Sequence, residues 1–138
     1  MADENTFIML KPDCMKRGLV GEIITRIERK GYRIIDAKMM KLSAAFLYEH
    51  YAHIADQPFF PLILQHMLSG PVFGMIVRGE NAVLGMRLLV GATKFEDAQP
   101  GSIRGDYALS TINNLIHCSH TVEIGEQEIK RFFSTATV

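Results

Sequence analysis

The chain has 138 residues, a length that fits one domain burying roughly 68% of its unfolded surface, so residues 1–138 are read as a single domain with a real core. Lys plus Arg (15) balance Asp plus Glu (15), which excludes a general nucleic-acid-binding field and an acidic tail, so an anionic ligand has to be met locally. Cys14 and Cys118 are too few for a disulfide scaffold or a four-cysteine zinc site, and with a polar start at Met1–Asn5 and no apolar run of membrane-spanning length the chain is read as soluble and cytoplasmic.

Thr6 to Leu10 is a short apolar run of strand formers, stopped by Lys11-Pro12-Asp13, where proline denies a ladder its donor. A strand is therefore expected to pass into a charged turn. Val20, Ile23, Ile24 and Ile27 recur at helical spacing up to Lys30-Gly31, and Tyr32 to Met40 returns to extended character. Ser43 predicts an N-cap ahead of Leu47, Tyr51 and Ile54, and after Asp56-Gln57-Pro58 a second helix runs from about Phe60 to Leu68. These read as an inserted helical pair. Ser69-Gly70-Pro71 precedes a strand from Val72 to Val77, and Asn81 to Val90 predicts a helix stopped by Gly91.

Thr93 to Asp106 shows little periodicity and is punctuated by Pro100, Gly101 and Gly105, which predicts a long surface loop. Leu115 to His117 is a last short strand, and Val122, Ile129, Phe132 and Phe133 give the final helix its buried side. The order implies an α+β, ferredoxin-like βαββαβ fold. Its four-stranded antiparallel sheet would carry helices on one face, with the helical pair and the long loop added.

His117 ends an apolar strand just before a polar Cys-Ser-His-Thr turn, so its ring can face a cleft while its backbone is anchored. Neutral imidazole is a nucleophile at ordinary pH, its reference pKa being roughly 6.5, and a carboxylate on one nitrogen orients the other. Glu128 on the following helix is the candidate carboxylate, although a solvated helix residue is an equal reading. Arg87, Thr93 and Arg104 lie beside helix ends or in the loop, and guanidinium forks bind phosphate oxygens bidentately. Lys11, between an apolar strand and a proline, offers a point charge to a transferring phosphoryl group. A nucleophile with cationic and hydroxyl donors points to phosphate chemistry.

Rival motifs fail. GxxxxGK[ST] and Gly-x-Gly-x-x-Gly are absent, which removes P-loop and dinucleotide-binding readings. His117-Cys118 lacks the arginine that a cysteine phosphatase needs six residues after its nucleophile, since Ile124 stands there. His50-x-x-His53, and His117 with Cys118 and His120, are incomplete metal sets. His50, His53 and His66 are read as solvated or satisfied side chains.

From Thr6 to Phe133 the chain resembles a nucleoside diphosphate kinase. The resemblance is carried by Lys11-Pro12-Asp13, His50-Tyr51, Pro58-Phe59-Phe60, Ser69-Gly70-Pro71-Val72, Gly91-Ala92-Thr93, the run Pro100 to Asp106, and Asn114-x-x-His117-x-Ser119. It implies ping-pong transfer of a γ-phosphoryl from a nucleoside triphosphate to a nucleoside diphosphate through phosphorylated His117. It also implies that Lys11, Tyr51, Arg87, Thr93, Arg104 and Asn114 bind phosphates and sugar, that Phe59 stacks on the base, and that Ser119 and Glu128 position the histidine. Mg²⁺ would arrive on the nucleotide phosphates with no protein metal site. Partners would be nucleotides and further copies of the chain as a dimer, tetramer or hexamer, with no membrane and no specific nucleic acid.

Departures from the family pattern cluster near the histidine. Cys118-Ser119-His120-Thr121 replaces Gly-Ser-Asp-Ser, with Cys118 expected to add bulk beside the nucleophile. Thr111-Ile112-Asn113 replaces Val-Gly-Arg, and Lys94-Phe95 replaces Asn-Pro. They bear on rate, base preference and assembly, and they define the alternative, a non-catalytic nucleotide-binding or regulatory protein on the same scaffold.

Overall fold

The computed structural model describes residues 2–135. Strands β1 (Asp3–Leu10), β2 (Arg33–Met40), β3 (Val72–Glu80) and β4 (Ile116–Cys118) form one antiparallel sheet in the order β2-β3-β1-β4. This is the order of the split βαββαβ arrangement. Helices α1 (Pro12–Lys16), α2 (Val20–Lys30), α3 (Ala44–His50), α4 (Phe60–Met67), α5 (Ala82–Val90), α6 (Ile103–Tyr107) and α7 (Val122–Ser134) surround it. No helix among the described residues is long and apolar enough to cross a membrane.

The helices cover both faces of the sheet, which corrects the one-face expectation. Ile8 and Leu10 pack with Ile23, Ile27 and Met86 of α2 and α5, while Phe7 and Met9 pack with Phe46, Leu47, Phe60 and Phe132 of α3, α4 and α7. The signal lay in the unbroken run Phe7-Ile8-Met9-Leu10. A strand with one wet face alternates, whereas one buried on both faces reads as continuous apolar sequence. All four residues have 0% exposure, and each contributes roughly 1.5–3 kcal/mol by leaving water.

Several expected boundaries hold. Gly31 ends α2 at φ 108, with its N–H on Glu28 O and that of Tyr32 on Ile27 O. Ser43 caps α3 by accepting the Phe46 N–H at 3.0 Å. Two short elements differ from expectation. Lys11-Pro12-Asp13 does not form a simple turn: Lys11 is the N-cap of α1 and Pro12 its first residue, where a missing N–H costs nothing. The 93–106 segment is not a bare loop either, since it holds a 3₁₀ turn at Phe95–Asp97 and α6, capped by Ser102 Oγ accepting the Gly105 N–H at 3.0 Å. Ile103 and Arg104 are buried there.

Phe132 fixes α7 on the sheet. Its ring lies 5.2 Å from that of Phe7, and it occupies the space where a Cβ on Gly74 would stand. Glu128, one turn earlier on the same face, is thereby aimed at β4.

Candidate active site

His117 lies in β4 opposite Met9, so its ring shares the Phe7 and Met9 face with α7. Its Nε2 is 2.9 Å from Glu128 Oε1. Ser119 Oγ donates to the same oxygen at 2.6 Å and accepts the Phe7 N–H at 3.3 Å, which ties the carboxylate to β1. A carboxylate can only accept, so Nε2 carries the proton and the Nδ1 lone pair is left free. Burial alone would raise the Glu128 pKa, but the bonds from His117 and Ser119 outweigh it and hold the carboxyl down at about 2. Glu128 is therefore buried and bonded, not a solvated helix residue.

His50 joins this group. It is 6% exposed, its ring meets that of His117 edge-on at 4.7 Å, and its Nδ1 lies 3.8 Å from Glu128 Oε2 with no hydrogen-bond partner among the described residues. Burial, then the neighbouring His117, pull its pKa to about 3, so it stays neutral. This corrects its reading as a solvated or satisfied residue. The sequence held a signal, because position 50 falls on the Leu47, Tyr51 and Ile54 face of a helix. Among the described residues, His50, His117 and Glu128 form the one His/Cys/Asp/Glu group whose candidate ligand atoms lie within 4.8 Å of one another. That group is the hydrogen-bonded His117 and Glu128 with His50 packed against them. Neither His53 nor Cys118 with His120 belongs to it.

A cationic cluster lies alongside. Lys11 Nζ donates to Asn114 Oδ1 at 2.8 Å, and burial followed by the Arg104 charge lowers its pKa to about 8. Arg104, 6% exposed, donates to Gly91 O at 3.1 Å and to Ile116 O at 2.5 Å. Burial pulls its pKa down too, with Arg87 adding to the effect. Arg104 Nε and Tyr51 Oη are buried with no hydrogen-bond partner among the described residues. Tyr51 stands edge-on to His50 at 4.8 Å. Arg87 on α5 donates to His120 Nδ1 at 2.5 Å.

Phe59 and Thr93 stand outside this bonded network. Phe59, the N-cap of α4, is 45% exposed. Thr93 is exposed two residues past Gly91, whose carbonyl anchors Arg104. Cys118 does not crowd the His117 ring. Strand alternation turns it to the opposite face from His117, where it is buried among the α2 and α5 residues. Asp13, given no role of its own from sequence, and His66, read as solvated or satisfied, form a pair at 3.1 Å beside Lys11.

With this geometry in view, the relatives are informative. The family model described as nucleoside diphosphate kinase matches residues 4–138. The chain is 45% identical over 136 residues to a nucleoside diphosphate kinase of Moorella thermoacetica, covering 99% of this chain and 98% of that one. It is 47% identical over 130 residues to one of Thermus thermophilus, covering 94% and 95%. Among solved structures, the apo nucleoside diphosphate kinase of Encephalitozoon cuniculi superposes with a TM-score of 0.92 at 41% identity, over 98% of this chain and 92% of that one. A halophilic nucleoside diphosphate kinase of Halobacterium salinarum in complex with CDP gives 0.91 at 45% identity, over 96% and 89%. These matches favour phosphotransfer over the binding-only alternative: the chain belongs to the nucleoside diphosphate kinase family and is a phosphotransferase acting between nucleotides.

Proposed function

We propose that residues 1–138 act as one kinase domain and that exchange runs in two half-reactions through a phosphohistidine at His117. The observation that carries this is the 2.9 Å contact of Nε2 with Glu128, backed by Ser119, which leaves Nδ1 as the reacting atom. The Nδ1 lone pair attacks the γ-phosphorus of a nucleoside triphosphate, and the bond to the β,γ-bridging oxygen breaks and releases the diphosphate. A terminal phosphate oxygen of a second nucleoside diphosphate then attacks the same phosphorus and the N–P bond breaks. The Nε2 proton stays shared with Glu128 throughout, so the histidine needs no net proton transfer.

Lys11, Tyr51, Arg87, Thr93, Arg104 and Asn114 supply the donors that meet phosphates and sugar, and Phe59 offers its open ring to the base. The unpartnered Tyr51 Oη and Arg104 Nε support this, because buried polar groups normally find partners. Such donors gain most where charge gathers on the equatorial oxygens. Any base presents a π face to Phe59, so base selectivity is low. The relative that holds CDP supports nucleotides as ligands.

Glu128 is committed to His117 and Ser119, and Asp13 to His66 and a backbone N–H. This donor set fits a Mg²⁺ carried by the nucleotide phosphates and held by no protein cage. Bound there, the ion neutralises phosphate charge. The protein works in the cytoplasm as a homo-oligomer, a state that light scattering reads directly. Incubation with γ-radiolabelled ATP should leave an acid-labile, alkali-stable label that any nucleoside diphosphate discharges. A His117→Ala chain that keeps full label sinks the proposal.

A further inference from the structure

Asp13 sits in α1 next to Lys11 and is not among the groups proposed to meet the nucleotide. Its side chain is 12% exposed, and its two carboxylate oxygens have separate tasks. Oδ1 is 3.1 Å from His66 Nε2 on α4, and Oδ2 accepts the backbone N–H of Leu115 at 3.1 Å. Leu115 has φ 76, a left-handed conformation that a residue with a Cβ rarely adopts, and it is completely buried. Its carbonyl accepts the Lys11 N–H at 2.8 Å. Both backbone polar groups of this strained residue are thus bonded to α1 and its cap.

The neighbours of Leu115 give that strain a use. Asn114 on one side receives Lys11 Nζ, and Ile116 on the other offers its carbonyl to Arg104. His117 follows. A single backbone rotation at Leu115 would move the asparagine amide relative to the Arg104 anchor, so the left-handed turn sets the spacing of three phosphate donors at once. If Oδ2 were removed, a buried N–H would lose its partner and the backbone its reason to stay at positive φ.

We infer that Asp13, clamped by His66, is a positioning residue that holds Leu115 in its left-handed conformation and so aligns Lys11, Asn114 and Arg104 on the transferring phosphoryl group. This rests on the proposed assignment of those three as phosphate ligands. The clamp also ties α1 to the last turn of α4, the helix whose N-cap is Phe59.

The test is a double-mutant cycle on the full chain, read as kcat/KM for nucleoside diphosphate, with circular dichroism and Tm alongside. Asp13→Ala should lower kcat/KM on the order of 10²-fold, the cost of misplaced donors, with its secondary structure retained. In an Asn114→Ala background the same change should cost less than about threefold, because the alignment it protects is already lost. Asp13→Asn, whose amide oxygen can accept the Leu115 N–H, should recover most of the activity. If Asp13→Ala fails to fold, His66→Leu carries the test, with an expected several-fold rise in KM.

An Asn114→Ala chain that exchanges at the wild-type rate would defeat the ligand assignment itself. A costly Asn114→Ala onto which Asp13→Ala adds its full factor defeats the positioning role. So does an Asp13→Ala that lowers Tm yet leaves kcat/KM within about twofold, or a His66→Leu with unchanged KM.

Discussion

Lys11 and Asn114, 103 positions apart in sequence, meet through a 2.8 Å bond from Nζ to Oδ1, and the ammonium they share sits beside a second buried cation, Arg104. Its pKa of about 8 lies below the ordinary 10.5 because burial and then Arg104 disfavour the charge. Between those two values the unfolded chain binds a proton that the folded chain does not, so stability rises with pH across that window. The phosphate binding proposed for Lys11 runs the other way, since it needs the ammonium. The expected outcome is a kcat/KM for nucleoside diphosphate that falls above pH about 8, and Lys11→Arg, which stays charged, should remove that alkaline limb. A limb that persists in Lys11→Arg belongs to another group.

Glu128 should act in the opposite pH range. Its folded pKa of about 2 is below the ordinary 4.5, so its contribution is complete above pH 4.5 and is lost as pH falls toward 2. The shift corresponds to a few kcal/mol, on the order of 3. Glu128→Gln should flatten the acid side of a urea-midpoint titration. It should also slow single-turnover labelling of His117 on the order of 10²-fold, because a neutral amide holds the imidazole less firmly. Labelling at the wild-type rate would mean that the bond seen here does not orient the nucleophile.

Gly74 offers a check through packing alone. A Cβ there would enter the Phe132 ring, which is itself wedged against Phe7 and Phe46. Gly74→Ala should destabilise by roughly 1–3 kcal/mol, measured as a lower urea midpoint. Because Phe132 is one turn from Glu128, the labelling rate should fall with it. Gly18→Ala, at a positive φ but with open space around it, supplies the contrast: backbone strain with no ring to displace.

How far the sequence was readable depended on the length of each signal. The helix from Val20 to Lys30 shows three turns of period and a glycine stop, and its limits match the structure. Helices α1 and α6 have five residues each, too few for a period to emerge, and both were read as turn or loop. His117 stood out because it ends an apolar strand before a polar turn, whereas Glu128 read equally well as a solvated helix residue. His50 did not stand out, since its place on an apolar helix face signals burial but not which groups its ring meets. Asp13 was hidden for another reason. Its target is a backbone N–H 102 positions away, and the positive φ of a leucine has no local signature.

The three-residue strand β4 reaches the sheet only by pairing Ile116, His117 and Cys118 with Leu10, Met9 and Ile8. His117 is thus delivered to its place by contacts that span nearly the whole chain, the slowest kind to form. A nascent chain that has not yet extended to Ile116 contains three of the four strands and the helices α2 and α5, but not His117, Ser119 or Glu128. On the proposed mechanism, incomplete products of synthesis lack the phosphoryl acceptor, and chemical competence arrives together with closure of the sheet.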